Sequence, residues 1–241
     1  MDFLNADWEN IVMANYKVPP EVLLPYLPHG CELDLYEGSA YVSLVGFMFK
    51  KTKLFKIPIP ILGTFEEINL RFYVICKEDG KIKRGVVFIN ETIPYKAVAW
   101  VANKLYKEHY TTIPTKNTIS LNKQNKRICY QWQVNKVWNR IYVESSAVKE
   151  LMVTDSFEEF IFEHYYGYTK IDTLTTEEYK IHHPRWKINK ITNYSILCDF
   201  DKMYGDRFLF LNGTRPDAVF LAEGSPVSVK WKRRRIEQLA A

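Results

Sequence analysis

From Glu67 onward, the segment Glu66-Glu67-Ile68-Asn69-Leu70-Arg71-Phe72-Tyr73-Val74 alternates polar and apolar residues. In a β-strand that alternation puts Glu67, Asn69, Arg71 and Tyr73 on one face and Ile68, Leu70, Phe72 and Val74 on the other. Facing a cavity, the polar set has a definite chemistry. Arg71 could clamp a carboxylate with paired N–H donors, Glu67 could move a proton, and Asn69 or Tyr73 could orient a substrate by hydrogen bonds. Facing water, the same side chains would form the polar outer surface of an antiparallel sheet, which is the commoner arrangement.

The five histidines are His29, His109, His164, His182 and His183. Neighbours on a strand point to opposite faces, so His182 and His183 cannot readily share a metal, and no metal site is expected. His183 keeps phase with Tyr179 and Ile181, which makes it the inward-facing candidate for contact with a substrate. His164 falls in phase with Phe157, Phe160 and Ile161 and reads as a core histidine. Cys31, Cys76, Cys129 and Cys198 are widely separated, with no C-x-x-C pair, and read as reduced thiols. There is no P-loop, no G-x-G-x-x-G after a strand, no G-x-S-x-G and no H-E-x-x-H, so no cofactor is expected and serine-hydrolase chemistry is disfavoured.

These residues must be held by strands. The pattern predicts strands at about 10–17, 31–37, 39–49, 65–77, 84–90, 128–135, 138–145, 178–183, 190–199 and 226–232. The strand at 39–49 is apolar on both faces and should lie centrally, covered on each side. Helices are few. One should follow Pro20, and a second should run from near Pro94 to about Tyr106 with Val98, Val101, Ala102 and Leu105 as its apolar stripe. A third starts at a capping box formed by Ser156 and Glu159.

Composition agrees with a β-rich chain. Of 241 residues, 47% are hydrophobic and 15% aromatic, enough for one sizeable core and biased toward strand-forming types. No linker or repeat divides the chain, so one domain over residues 1–241 is expected. The start of the chain, MDFLNADWEN, does not resemble a secretory signal, and no run reaches the roughly 18 apolar residues of a membrane-spanning helix. A cytoplasmic protein with no membrane partner is expected. The net charge of +5 resides largely in Lys230, Lys232, Arg233, Arg234 and Arg235 near the end. That tail reads as a solvated end, with nucleic-acid binding as the disfavoured alternative.

Taken in order, NYKVPPEVLLPYLPHGCELDLYEGSAYVSLVGFMF, FEEINLRFYV, GVVFI, DSFEEFIFEHYYGYT, HHPRW and SPVSVKW resemble the YqjF-like family of uncharacterised bacterial proteins, over almost the whole chain. That family resembles the acetoacetate decarboxylase superfamily in fold. The resemblance implies an α+β chain, mainly antiparallel β, forming a β-cone or barrel with a few flanking helices around a central cavity. It also places Glu67 where the decarboxylases carry a glutamate that enters the active cavity. Those enzymes need an imine-forming lysine. In the matching stretch AVAWVANKLYKEHY, Lys107 is the nearest lysine, but helical phase puts it with Lys96 and Asn103 on the face opposite Val98, and Lys104 is placed no better.

The expectation is a β-barrel whose cavity takes a small carboxylate or carbonyl compound, with Glu67 as the candidate catalytic residue. Asn69, Arg71, Tyr73 and His183 are the candidate substrate-binding residues. Proton transfer next to a carbonyl, or lyase-type or hydratase chemistry without an imine lysine, fits this set, and a non-catalytic metabolite-binding or regulatory protein is the alternative. A second copy of the chain remains open as a partner.

Overall fold

The computed structural model describes residues 2–58, 63–78, 80–106, 109–230 and 233–237. In chain order the first strands are β1 (Asp2–Val18), β2 (Cys31–Leu33), β3 (Ala40–Leu54), β4 (Ile57–Pro58) and β5 (Phe65–Glu78). Next come β6 (Lys81–Ile93), β7 (Tyr110–Thr112), β8 (Thr115–Leu121), β9 (Asn125–Val134) and β10 (Val137–Leu151). The last are β11 (Tyr166–Lys170), β12 (Thr175–His182), β13 (Lys187–Leu197), β14 (Ala218–Lys230) and β15 (Arg234–Glu237). Four helices join them: α1 (Pro20–Leu23), α2 (Lys96–Tyr106), α3 (Phe157–Phe162) and α4 (Phe200–Tyr204).

All these strands form one mainly antiparallel sheet, in which β12, β11, β6, β5, β3, β1 and β14 follow one another. β14 then pairs back to β12 through Ile181↔Val229 and His182↔Ser228, closing a ring of seven strands. Two seams are narrow: this one, and the parallel contact of β11 with β6 at Tyr166↔Gly85 and Gly167↔Val86. A closed sheet has an inside and an outside, and the two-residue period decides which side chain goes where.

The strands β13, β10, β9 and β8 continue beyond β14 as an arm. It covers the outer face of the ring: Val42, Leu44, Ile68 and Leu70 share an apolar cluster with Tyr130 and Trp132 of β9. Met13, Val45, Phe47 and Tyr73 belong to a second cluster, with Phe160 and Ile161 of α3. β3 contributes to both clusters, which is why it is apolar on both faces and lies between β1 and β5.

Gly46 is where the arm docks. A Cβ there would lie 2.7 Å from Tyr130 Cδ2, so only glycine admits that ring against β3. The Tyr130 hydroxyl in turn donates to the Asn10 carbonyl at 2.9 Å. Asn10 has φ 57° and sits where the β1–β3 register shifts, between Glu9 and Val12, so the docked tyrosine satisfies a carbonyl that the irregular ladder leaves over.

Most strands found by alternation are longer than the pattern indicates. α2 starts at Lys96 because β6 runs on to Ile93. The α3 cap is present: Ser156 Oγ accepts from Glu159 N, while Glu159 Oε2 accepts from Asp155 N, one residue before the expected partner. The basic tail is not a free solvated end. β15 pairs with β12, and Arg233 and Arg235 lie 2.7 and 3.7 Å from Glu177. Arg234 pairs with Glu78. Lys232 lies outside the described residues. Acidic side chains within the chain thus pair with the three arginines of the tail. Among the described residues, no helix is long and apolar enough to cross a membrane.

Gly46→Val should lower the unfolding free energy measured in urea by roughly 1–3 kcal/mol, the usual penalty for overpacking a filled core. Unchanged stability would mean that the arm does not dock at Tyr130.

Candidate functional site

The ring encloses a cavity of about 110 Å³. Its wall draws on β1, β3, β5, β6, β12 and β14, with Tyr110 of β7 and Trp186 from the β12–β13 connection. Most of that wall is apolar, including Trp8, Phe47 and Phe88. The polar part is one patch. Glu67, Asn69 and Arg71 line it together, Glu91 stands opposite Asn69 in the β5–β6 ladder, and Tyr110 stands beside Glu91 in the β6–β7 ladder. A bulge shapes this patch: Leu70 faces Asn90 but Arg71 faces Phe88, so Ile89 is the extra residue. Glu91 and Phe88, three apart, therefore both reach the same cavity.

Glu67 accepts hydrogen bonds from Asn69 Nδ2 at 2.9 Å and from the Tyr110 hydroxyl at 3.1 Å. Tyr110 is fixed from behind by Asn103 of α2. Asn103 Nδ2 donates to the Tyr110 carbonyl, and Tyr110 N donates to Asn103 Oδ1, both at 2.8 Å. Glu67 and Glu91 are almost wholly buried.

Arg71 is half-buried. Its Nη2 donates weakly to Met13 Sδ and to the Ile161 carbonyl, each at 3.4 Å, and its guanidinium carbon lies 5.7 Å from the centre of the Tyr73 ring. None of these contacts neutralises the charge, and Arg71 has no ion-pair partner among the described residues. On the cavity wall, Arg71 Nε, Asn69 Oδ1 and Trp8 Nε1 are buried polar atoms with no protein partner. Buried polar atoms are seldom left so, because each costs roughly 1–3 kcal/mol when unsatisfied.

Two residues expected to touch a substrate are placed elsewhere. Tyr73 is buried, hydrogen-bonded to Ser43 Oγ and packed against Phe160 and His164, so it supports Arg71 from behind. β12 ends at His182, which takes His183 out of the strand's alternation. His183 Nδ1 lies 2.8 Å from the Pro184 carbonyl, and the ring stacks between Tyr165 and Trp186 at 4.6 and 4.1 Å. It thus touches the back of the cavity wall at Trp186.

His164 is fully buried, with Nε2 3.0 Å from Asp34 Oδ2, while Arg84 Nε donates to the same oxygen at 2.7 Å. Burial drives the His164 pKa from 6.5 down to about 4, and the nearby Arg84 and Arg71 add to the effect against the pull of Asp34. The ring is therefore neutral at pH 7, and its Nδ1 has no partner. Burial likewise lowers His183 to about 4, with Arg71 contributing. For Asp34, burial acts upward but is outweighed by the hydrogen bonds from His164 and Arg84, so its pKa lies below the usual 3.8.

No lysine lines this cavity among the described residues. Lys104 is exposed, 4.8 Å from the centre of the Trp100 ring, and Lys107 lies outside the described residues. Nor do the described residues gather three His, Cys, Asp or Glu side chains that could hold a metal ion. Sequence reasoning missed Glu91, Tyr110 and Trp8. Alternation carried past residue 90 could have flagged Glu91, but the bulge breaks the phase.

The chain matches the DUF2071 family, described as an uncharacterised conserved protein, over residues 5–226. It is 32% identical over 88 residues to the uncharacterised protein YqjF of Bacillus subtilis (strain 168), a match that spans 36% of this chain and 35% of that relative. Among solved structures it is similar to an acetoacetate decarboxylase-like enzyme from Sphingomonas wittichii RW1, with a TM-score of 0.65, 10% identity and coverage of 99% and 95% of the two chains. It is also similar to acetoacetate decarboxylase from Legionella pneumophila (TM-score 0.61, 9% identity, 99% and 87% covered). A third similar structure is the enduracididine biosynthesis enzyme MppR complexed with pyruvate (TM-score 0.63, 10% identity, 98% and 91% covered). At these identities the likeness shows the fold: an acetoacetate decarboxylase-like architecture, mainly antiparallel β.

The histidines set a pH dependence. Their folded pKa values near 4 lie below the unfolded 6.5, so between those limits the unfolded chain binds more protons than the folded one. Stability should be level above about pH 6.5 and fall as pH drops toward 4, with Asp34 adding a further loss only below its usual 3.8. Urea unfolding across pH 4–8 reads this directly, and His183→Gln should flatten the slope. A slope of the opposite sign would show that the histidines are charged in the fold.

Proposed function

The chain belongs to the DUF2071 family of uncharacterised conserved proteins, and from that premise we propose that its barrel interior binds a small carboxylate or carbonyl compound and moves a proton next to the carbonyl. One observation carries this reading. Arg71 faces the cavity as a half-buried guanidinium without an acidic partner among the described residues, although Glu67 and Glu91 line the same wall. A fold needing only an ion pair would have joined them; a site for a ligand anion keeps the cation available.

In this reading Arg71 holds the ligand carboxylate, Asn69 orients its carbonyl through the amide N–H not given to Glu67, and Tyr110 does so by turning its hydroxyl from Glu67 to the ligand. Glu67 takes the proton from the carbon beside that carbonyl. The C–H electron pair forms the new C=C bond, and the carbonyl π electrons move to oxygen, which takes a proton from Tyr110 or Glu91. The aromatic wall supports such a step by keeping water away from the developing charge. Among the described residues no lysine lines the cavity, and this route needs no imine. Pyruvate in MppR supplies a model of the ligand class. A cytoplasmic setting suits the four free cysteines.

Thermal unfolding with a panel of keto, hydroxy and unsaturated carboxylic acids tests binding. A true ligand at a hundredfold excess over its Kd should stabilise wild type by about 2.7 kcal/mol, and Arg71→Ala should abolish the effect. For a stabilising 2-oxo acid, NMR in D₂O should show loss of the signal from the protons next to the carbonyl, slowed at least a hundredfold by Glu67→Gln. Binding without exchange would make the protein a non-catalytic metabolite-binding protein. No response to any acid would overturn the carboxylate site.

A further inference from the structure

A second cavity of about 210 Å³ lies beside the first, and the two share Phe3, Leu4, Phe49, Glu67 and Tyr110 as a common wall. Its remaining wall is Thr52, Leu54 and Phe65 from the sheet and Ala97, Val98 and Val101 from α2. Little there can recognise a polar group. The Thr52 hydroxyl already donates to the Gly63 carbonyl at 3.1 Å, and Glu67 already accepts from Asn69 and Tyr110. An apolar cavity of about 150 Å³ suffices to take up benzene, so this one is large enough for a phenyl ring or a short alkyl chain. The charged chamber beside it has room for little beyond a carboxylate and its neighbouring carbonyl.

We infer that the two cavities form one amphiphilic site, whose ligand is a 2-oxo or related carboxylic acid carrying an apolar group of about phenyl size. The acid group lies at Arg71, the reacting carbon passes Glu67, and the apolar end lies against Phe65 and the α2 stripe. This inference rests on the carboxylate reading above and adds the substrate class. It also gives the apolar stripe of α2 a role: Val98 and Val101 are only half-buried, and both face this cavity.

The test measures Kd by calorimetry for pyruvate, 2-oxobutanoate, 2-oxohexanoate, 2-oxooctanoate and phenylpyruvate. Affinity should rise with apolar size, by up to about fourfold per methylene buried, giving at least a tenfold gain from pyruvate to 2-oxooctanoate. Val101→Phe and, independently, Ala97→Trp, each filling the second cavity from α2, should remove most of that gain while leaving pyruvate binding within twofold. Two variants guard against misfolding of either one, and circular dichroism confirms each fold. Affinity independent of chain length, or a gain that survives both variants, would overturn the second compartment while leaving the carboxylate site intact. Failure of every acid, pyruvate included, would remove the underlying reading along with it.

Discussion

Closing a sheet into a ring removes water from one face of every strand, and β5 sends polar residues to that face. Ile68, Leu70 and Phe72 turn outward under the arm, which commits Glu67, Asn69 and Arg71 to the interior. Strand register is pinned wherever one face is buried, because a slip of one residue would exchange the two sets. The apolar grip of the arm therefore holds the polar set inward, with Tyr130 seated where Gly46 has no Cβ to displace it. Ring closure through two residue pairs of β12 and β14 completes the enclosure.

The groups behind the cavity hold Arg71 without neutralising it. Tyr73 offers its ring, is itself bonded to Ser43, and Ser43 donates to Asn15 Oδ1 at 2.5 Å. Asn15 is anchored on the Met13 and Ala218 carbonyls. On the other side of Tyr73 stands His164, neutral because it is buried, with Asp34 taken up by Arg84 and by the histidine itself. Asp34 is thus taken up by other donors and does not neutralise Arg71. Glu67 is oriented in the same way, by Asn69 on its own strand and by Tyr110, which Asn103 locks to α2.

Local alternation made β5 and its polar face legible in the sequence, as it did the double-sided burial of β3 and the capped start of α3. What alternation could not supply was long-range pairing. Glu91 reaches the cavity only because a bulge at Ile89 resets the phase of β6, and Tyr110 only because β7 pairs in parallel with β6 after α2. Trp8 was missed because the acidic residues around it obscure the start of β1. For His183 alternation does not apply, because the strand stops one residue before it. Nothing local to the basic tail shows that pairing with β12 places Glu78 and Glu177 beside it.

The proposed function keeps the polar interior for a ligand and not for the fold. Its most direct test is the unfolding free energy of Arg71→Met against wild type, in urea at pH 7 with no ligand present. Methionine fills similar space beside Met13 without a charge or an unsatisfied N–H. If the guanidinium is held for a ligand, the ligand-free variant should be as stable as wild type or more so, since replacing a poorly paired buried charge by an apolar group is commonly neutral or stabilising. A loss of about 2 kcal/mol or more would show that Arg71 supports the fold, and the ligand site would lose its principal residue.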